Sequence, residues 1–473
     1  MNIGNINDNL STPGNIKYTL FGTKQGEIEV HRDQYDRAAK IDRNGDGKLT
    51  DAEIKDYMRQ NELIRGERYQ PNEANLVRDF KLTLQNKPLE QTGKYHSYEE
   101  VTAQLKSLAE KYPDKAELIS IAKTAEGRDV WALKVTNKNT TAPAPTTPQQ
   151  PKESAGEEWN LSPGKDRKQG PAHSVTPPHT SNEKPGVVIT GLHHAREWIA
   201  LEVPLYAATT MLETCATDPA MQKRVDNAVT YFVPLVNPDG YEYARTKDPW
   251  WRKNREPVNP APANGPKEFE GERGKGIGVD LNRNYLDSRP ENFHMYRPDG
   301  DTPQSVRDDD GASDSPGSEQ FRGLVGAGTA EVSALQNLET HNNVKAAIDF
   351  HSYGKQILFP YGHSYEKAEN EAQLVGIGNR MSEAIKGATP DHDYYEVVQS
   401  SGLYPASGSS EDFQHVNDIL GFTIELSTSF APDEEEIAPT CQKLFAGQMA
   451  LVDHVVENFA PQPQQGAPQN HTA

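Results

Sequence analysis

The chain has only two cysteines, Cys215 and Cys441, in 473 residues, too few for a disulfide framework. It has no apolar run approaching the roughly 18 residues a membrane helix requires, so no membrane partner is expected. Its opening, "MNIGNINDNLSTPGNIKYTL", lacks the basic start and apolar stretch of a Sec-type signal peptide. The expectation is therefore a cytoplasmic protein, or one exported by a route that reads a polar N-terminus. Basic residues are the minority: 49 Lys and Arg against 69 Asp and Glu give a formal charge of −20. That balance argues against a nucleic-acid partner and favours cationic ligands. Apolar residues make up only 34 %, while glycines number 36 and prolines 34. Long polar insertions around an ordinary core are the simplest reading, and no internal repeat is found.

Composition divides the chain. Residues 1–20 and 460–473 read as disordered tails, and 139–184, rich in Pro, Thr, Ser and Gln, cannot build a core. Two strand candidates, "VWALKV" and "GVVIT", flank that stretch, so it reads as an overgrown loop within one domain. A second insertion, 287–312, is acidic and expected to be flexible. Between them, apolar runs of strand length ("ELISI", "TYFVPLV", "KAAIDF", "QILFPYG", "GFTIEL") alternate with helical patterns such as "SYEEVTAQLKSLAEKY" and "NEAQLVGIGNRMSEAIKG". This alternation predicts an α/β fold with a mixed, largely buried sheet sandwiched by helices over 93–459. Residues 21–92 form a separate, helical segment in this reading, and a monomer is expected.

"DRNGDGKLTDAE", residues 42 to 53, matches D-x-[DN]-x-[DN]-G-x5-E at every fixed position. Asp42, Asn44 and Asp46 alternate so that their oxygens can converge on one hard cation. Gly47 permits the sharp turn, Lys48 offers its carbonyl, Thr50 the ninth-position oxygen and Glu53 a bidentate carboxylate. The stretch resembles an EF-hand and predicts one Ca2+. Such loops usually pair, and upstream "TKQGEIEV" has no acidic ligands to serve as a partner.

The densest chemistry lies in "GLHHAREWIA", residues 191 to 200, where an apolar strand meets an apolar helix. Burying two histidines, an arginine and a glutamate there costs several kcal/mol unless they pair with one another or hold a cation. His194 and Glu197, three apart, can both face one ion; His193 with Glu197 needs a full helical turn. His351, just after "IDF", offers a third ligand, and a His2Glu set with one open position suits catalytic zinc.

The segments "HHAREW", "PLVNPDGYEYART", "WWRKNR", "GVDLNRNY", "SPGSEQFRG", "DFHSYGKQILFPYG", "LYPASGSSEDF" and "FTIELS" follow "YHSYEEVTAQLKSLAEKY" in an order that resembles the zinc metallocarboxypeptidases of the pancreatic A/B type, from about Tyr95 to Phe459. The resemblance implies one catalytic Zn2+ on His194, Glu197 and His351, and hydrolysis of the C-terminal peptide bond by an activated water with Glu425 as general acid/base. It implies that Arg252 stabilises the oxyanion, that Asn282 and Arg283 clamp the substrate carboxylate, that Tyr404 closes over it, and that Arg196 supports binding further out. Glu411, seven beyond Tyr404, falls where relatives that prefer C-terminal Lys or Arg carry an acid, with Leu358 and Leu403 as pocket walls. His363 and His415 match no ligand position. A disulfide of secreted relatives has Gly276 and Gly317 at its positions here, so both cysteines are expected to be free thiols. The inhibitory pro-domain of those relatives is not recognisable in 1–92. Two other readings are a peptidase of the same fold acting on peptidoglycan stem peptides, and a calcium-responsive binding protein on a dead scaffold.

Overall fold

The structure, a computed structural model, describes residues 16–21, 27–30, 35–45, 48–60, 95–140, 183–258, 277–287, 289, 292, 295–296, 311–388 and 393–460. The insertion expected at 139–184 lies almost wholly outside these residues, as do much of 287–312 and the C-terminal tail beyond 460.

The first segment is not purely helical. Strand β1 (Ile16–Phe21) starts inside the stretch expected to be a tail, and β2 (Glu27–Val30) pairs antiparallel with it. Helix α1 (Tyr35–Ile41), strand β3 (Lys48–Thr50) and helix α2 (Asp51–Gln60) surround the acidic loop, with β3 parallel to β1. Thr50 and Glu53 cap α2 reciprocally. The Glu53 N–H donates to Thr50 Oγ1 at 3.1 Å, and Glu53 Oε2 accepts from the Thr50 N–H at 3.0 Å and from its hydroxyl at 2.8 Å. Asp46 and Gly47 lie outside the described residues.

The main unit opens with α3 (Tyr98–Lys111). Its Ser97 and Glu100 form a capping box worth about 1 kcal/mol. There follow β4 (Ala116–Lys123), β5 (Asp129–Val135), β6 (Gly186–Gly191), α4 (Ile199–Thr214), α5 (Pro219–Asn227), β7 (Val229–Val233) and α6 (Pro238–Thr246). Then come α7 (Ala330–Thr340), β8 (Val344–Ser352), β9 (Gln356–Phe359), α8 (Glu371–Gly387), β10 (Glu396–Gln399), α9 (Ser410–Val416), β11 (Leu420–Leu426) and α10 (Glu434–Phe459). The eight strands β4–β11 form one sheet in the order β10-β9-β11-β8-β6-β7-β5-β4. It is mixed: β7, β6, β8 and β11 run parallel to their neighbours in that block, while β5 and β9 enter antiparallel.

Alternation along the central strands sorts the two faces. Val187, Ile189, Ile348, Phe350, Phe422 and Ile424 join the larger core with α3, α4, α8 and α10. The other face packs Val188, Ala347, Tyr285, Val332, Leu335 and Phe413 beneath α7 and α9. A side chain on α4 finds protein on almost every side, which is why its sequence is apolar nearly all round. Gly191 ends β6 against α4 so closely that a Cβ would stand 2.0 Å from the Ala200 carbonyl oxygen. Cys215 and Cys441 are both free and buried. Among the described residues no helix is long and apolar enough to cross a membrane.

Candidate active site

The parallel strands β6, β8 and β11 end on one edge of the sheet, where ligands of α/β proteins bind. Beyond β6 the backbone turns through Leu192, a non-glycine residue at φ 58°, and delivers His193 and His194. The next turn, closed by the Glu197 N–H donating to the His194 carbonyl at 3.0 Å, sets Glu197 on the same side as His194. His351 arrives from β8, and β11 brings Glu425 into register beside it.

Three side chains converge. His194 Nδ1 lies 2.8 Å from Glu197 Oε1, His351 Nδ1 lies 2.9 Å from Glu197 Oε2, and the two Nδ1 atoms are 3.1 Å apart. All three residues are buried, and among the described residues they are the one His/Cys/Asp/Glu group close enough to hold a metal ion. Burial opposes any charge on His351, yet the adjoining Glu197 carboxylate raises its pKa to about 9. Glu197 is in turn held well below the usual carboxylate range, against its burial, by His194 and His351. A buried carboxylate that draws a proton onto its neighbouring imidazole is a site asking for positive charge. Two nitrogens and one carboxylate are the donor set of a catalytic zinc with an open position.

Asp280, which the sequence reading did not single out, organises this centre from behind. Its Oδ1 accepts from His194 Nε2 at 3.0 Å and its Oδ2 accepts from Arg252 Nε at 2.8 Å. Although fully buried, Asp280 is held well below its normal pKa by Arg252 and His194. A carboxylate behind a ligating histidine fixes its tautomer and ring plane. The available signal was an acid two positions before Asn282 in "GVDLNRNY", which also caps the 3-10 turn Leu281–Arg283.

The remaining expected residues take these places. Arg252 is buried, with Nη1 3.8 Å from Glu197 Oε1 and Nη2 lacking a hydrogen-bond partner. Arg283 donates through Nε to the Gly311 carbonyl (2.6 Å), Nη1 to the Asn282 carbonyl (2.5 Å) and Nη2 to the Tyr404 hydroxyl (3.1 Å). The Asn282 amide, expected to add donors beside Arg283, is engaged: Nδ2 is 3.3 Å from His351 Nε2 and Oδ1 accepts the Ser410 N–H at 2.9 Å. Arg196 sits over the Phe430 ring at 4.7 Å and pairs with Glu319 at 2.9 Å. Glu411 is buried on α9; its Oε1 accepts from Ser400 Oγ at 2.7 Å and its Oε2 from Thr423 Oγ1 at 3.2 Å. Leu358 is buried and is the cross-strand partner of Thr423, which sets it on the sheet face toward Glu411. Leu403 is 40 % exposed, a rim position rather than a buried wall. His363 pairs with Asp412 and His415 with Glu369.

This architecture and donor set define a metal-dependent hydrolase, and comparison with known proteins agrees. The family model described as "Zinc carboxypeptidase" matches residues 101–447, and the chain belongs to that family. It is 25 % identical to mouse Carboxypeptidase A4 over 374 residues, covering 78 % of this chain and 71 % of that one. It is 26 % identical to Metallocarboxypeptidase A of Arthroderma otae over 374 residues, covering 77 % and 72 %. The crystal structure of thrombin activatable fibrinolysis inhibitor shares the fold, with a TM-score of 0.58 at 24 % identity over 77 % of this chain and 75 % of that one. The protein is thus a zinc metallocarboxypeptidase, a hydrolase of peptide bonds.

Proposed function

We propose that this carboxypeptidase removes single residues from peptide C-termini and prefers Lys or Arg there. The observation that supports this reading is Glu411. The residue is 2 % exposed, its carboxylate accepts hydrogen bonds from the neutral Ser400 and Thr423 hydroxyls, and among the described residues it has no ion-pair partner. Burial and the adjacent Asp412 push its pKa up. A buried anion without a cation is stabilised by the substrate that brings one, and the chain's charge of −20 steers cationic peptides toward it.

His194, Glu197 and His351 hold the zinc, which when bound supplies Lewis acidity and lowers the pKa of water to about 7. Glu425, on the same face of β11 as Thr423 and beside His351, takes the proton of the attacking water and passes it to the leaving amine. Arg252, anchored through Nε on Asp280, directs its unpartnered Nη2 at the developing oxyanion. Arg283, with Asn282 beside it, receives the terminal carboxylate as a planar fork. The Tyr404 hydroxyl, now 3.1 Å from Arg283, gives way to that carboxylate and closes on the far side. Arg196 lies further along the cleft. Separately, the loop 42–53 takes one Ca2+ through Asp42, Asn44, Asp46, Lys48, Thr50 and Glu53, a reading supported by the flanking helices α1 and α2 and the Thr50–Glu53 cap.

The test of substrate preference is the ratio of kcat/KM for C-terminal Arg against C-terminal Phe peptides, in the parent and in Glu411→Ile. The parent should favour Arg and the variant should reverse or abolish the preference. A parent that favours Phe, or a ratio that Glu411→Ile leaves unmoved, rules out Glu411 as the selecting residue.

A further inference from the structure

Asp412 follows Glu411 on α9, and the mechanism above makes no use of it. Its carboxylate is 1 % exposed and fully engaged with one short stretch of loop. Oδ1 accepts the Gly362 N–H at 2.8 Å, Oδ2 accepts the His363 N–H at 2.9 Å, and His363 Nδ1 lies 2.7 Å from the same Oδ2. Against the burial that opposes its charge, His363 and these N–H groups lower the pKa of Asp412, so the clamp is an ionised one. Charge-assisted bonds of this kind are shorter and stronger than neutral ones.

What the clamp holds is the stretch of backbone that abuts Glu411. A Cβ placed on Gly362 would stand 3.0 Å from Glu411 Oε1, 3.1 Å from Ser409 Oγ and 3.3 Å from Ser400 Oγ. Ser409 Oγ is buried and has no hydrogen-bond partner. The bare flank of Gly362 therefore faces three side-chain oxygen atoms, one of them without a hydrogen-bond partner. The same stretch reaches the segment that carries Tyr404. The Tyr361 carbonyl accepts the Ser401 N–H at 3.1 Å, and the Gly362 carbonyl accepts the Ala406 N–H at 2.9 Å. Tyr404 is bracketed by those two anchors.

We propose that Asp412, acting through the backbone of Gly362 and through His363, is a positioning residue for side-chain selection. It fixes the pocket wall at Glu411 and so sets the room left for a cationic C-terminal side chain. This deepens the reading of Glu411 and rests on it only for which side chains are favoured. That Asp412 alters selection at all does not depend on it.

The experiment uses the full-length zinc enzyme and peptides ending in Arg, Lys or Phe. Asp412→Asn keeps the shape but turns an amide N–H2 toward a backbone N–H, so one contact must open. KM for the Arg and Lys peptides should rise about tenfold while kcat moves by about threefold or less, so the Arg:Phe ratio of kcat/KM falls. His363→Gln, which can still donate to Asp412, should hold the parent ratio, whereas His363→Ala should behave like Asp412→Asn. If Asp412→Asn lowers kcat/KM for all three peptides by one factor, or lowers only the melting temperature, Asp412 is merely structural and the inference is wrong. Should Asp412→Asn not fold, Gly362→Ala probes the same wall with the clamp intact. It should raise KM for the basic peptides selectively, and an unmoved ratio overturns the inference. A parent that favours Phe counts against Glu411 as the selector; a parent ratio of either sign that these variants leave unchanged counts against the clamp.

Discussion

Glu425 stands directly across from His351 in the parallel pair β11–β8. Neighbouring strands lie about 4.8 Å apart, so this register alone brings a carboxylate beside a metal ligand without making it one. Two strands with 73 residues between those positions in the chain thus bring the two residues to one end of the sheet.

The first expectation follows from that register. Glu425→Gln preserves shape and leaves His194, Glu197 and His351 intact, so zinc content should match the parent. Loss of the proton carrier should lower kcat by about 100- to 10,000-fold. Single-turnover rates with metal analysis on the same sample check this, and near-parental turnover would show that another group moves the proton.

Asp280 should tune the metal. Asp280→Asn retains the hydrogen bond to neither partner with its charge, so His194 loses its anionic support and Arg252 its anchor. Zinc affinity should fall about 10- to 100-fold, read by competition with a chelator of known affinity. An unchanged zinc affinity would reduce Asp280 to a helix cap.

A pH effect on stability is expected behind the Arg252 segment. Glu331 on α7 is buried, with Asn254 Nδ2 3.3 Å from its Oε1, and burial raises its pKa to about 7 from an ordinary 4.5. A carboxyl whose folded pKa is raised contributes stability that is full below pH 4.5 and is lost as pH climbs to about 7. The loss amounts to about 3 kcal/mol at neutral pH. Glu331→Gln should therefore be more stable than the parent at pH 8 and show no advantage at pH 4. Denaturant melts of both proteins across this range decide it; parallel curves at every pH would contradict the assignment.

Calcium should act on the small N-terminal unit. Glu53 Oε2 now accepts the N–H and hydroxyl of Thr50, and in the expected loop the same carboxylate supplies two of the cation's oxygens. Glu53→Gln should weaken calcium binding by at least about tenfold and leave zinc content unchanged. Parent melts that superimpose with and without calcium would remove the calcium site.

Much of this molecule was legible one-dimensionally. Strands β4 to β9 and β11 coincide with short apolar runs, and α3, α4, α7, α8 and α10 with amphipathic or wholly apolar stretches, because burial leaves its period in the sequence. His194 and Glu197 were legible too, since a turn of three residues is local chemistry. Strand β10, "EVVQ", was not: at the sheet edge its residues are exposed or only partly buried, and no apolar pattern marks it. Helix α9, "SEDFQHV", escaped because its polar residues are buried by partners that no nearby position announces. Glu411 finds Thr423 on β11 and Ser400 before the Tyr404 segment, and Asp412 finds Gly362 and His363 some 50 residues upstream. The support of His194 by Asp280 spans 86 residues, and the approach of His351 to Glu197 spans 154. Local sequence determined which groups could do chemistry, through residue type, spacing and the periodicity of burial. Only the tertiary structure decided which carboxylate backs His194, which hydroxyls meet Glu411 and which backbone Asp412 holds. Those pairings depend on strand order and register, and strands adjacent in the sheet are distant in the chain.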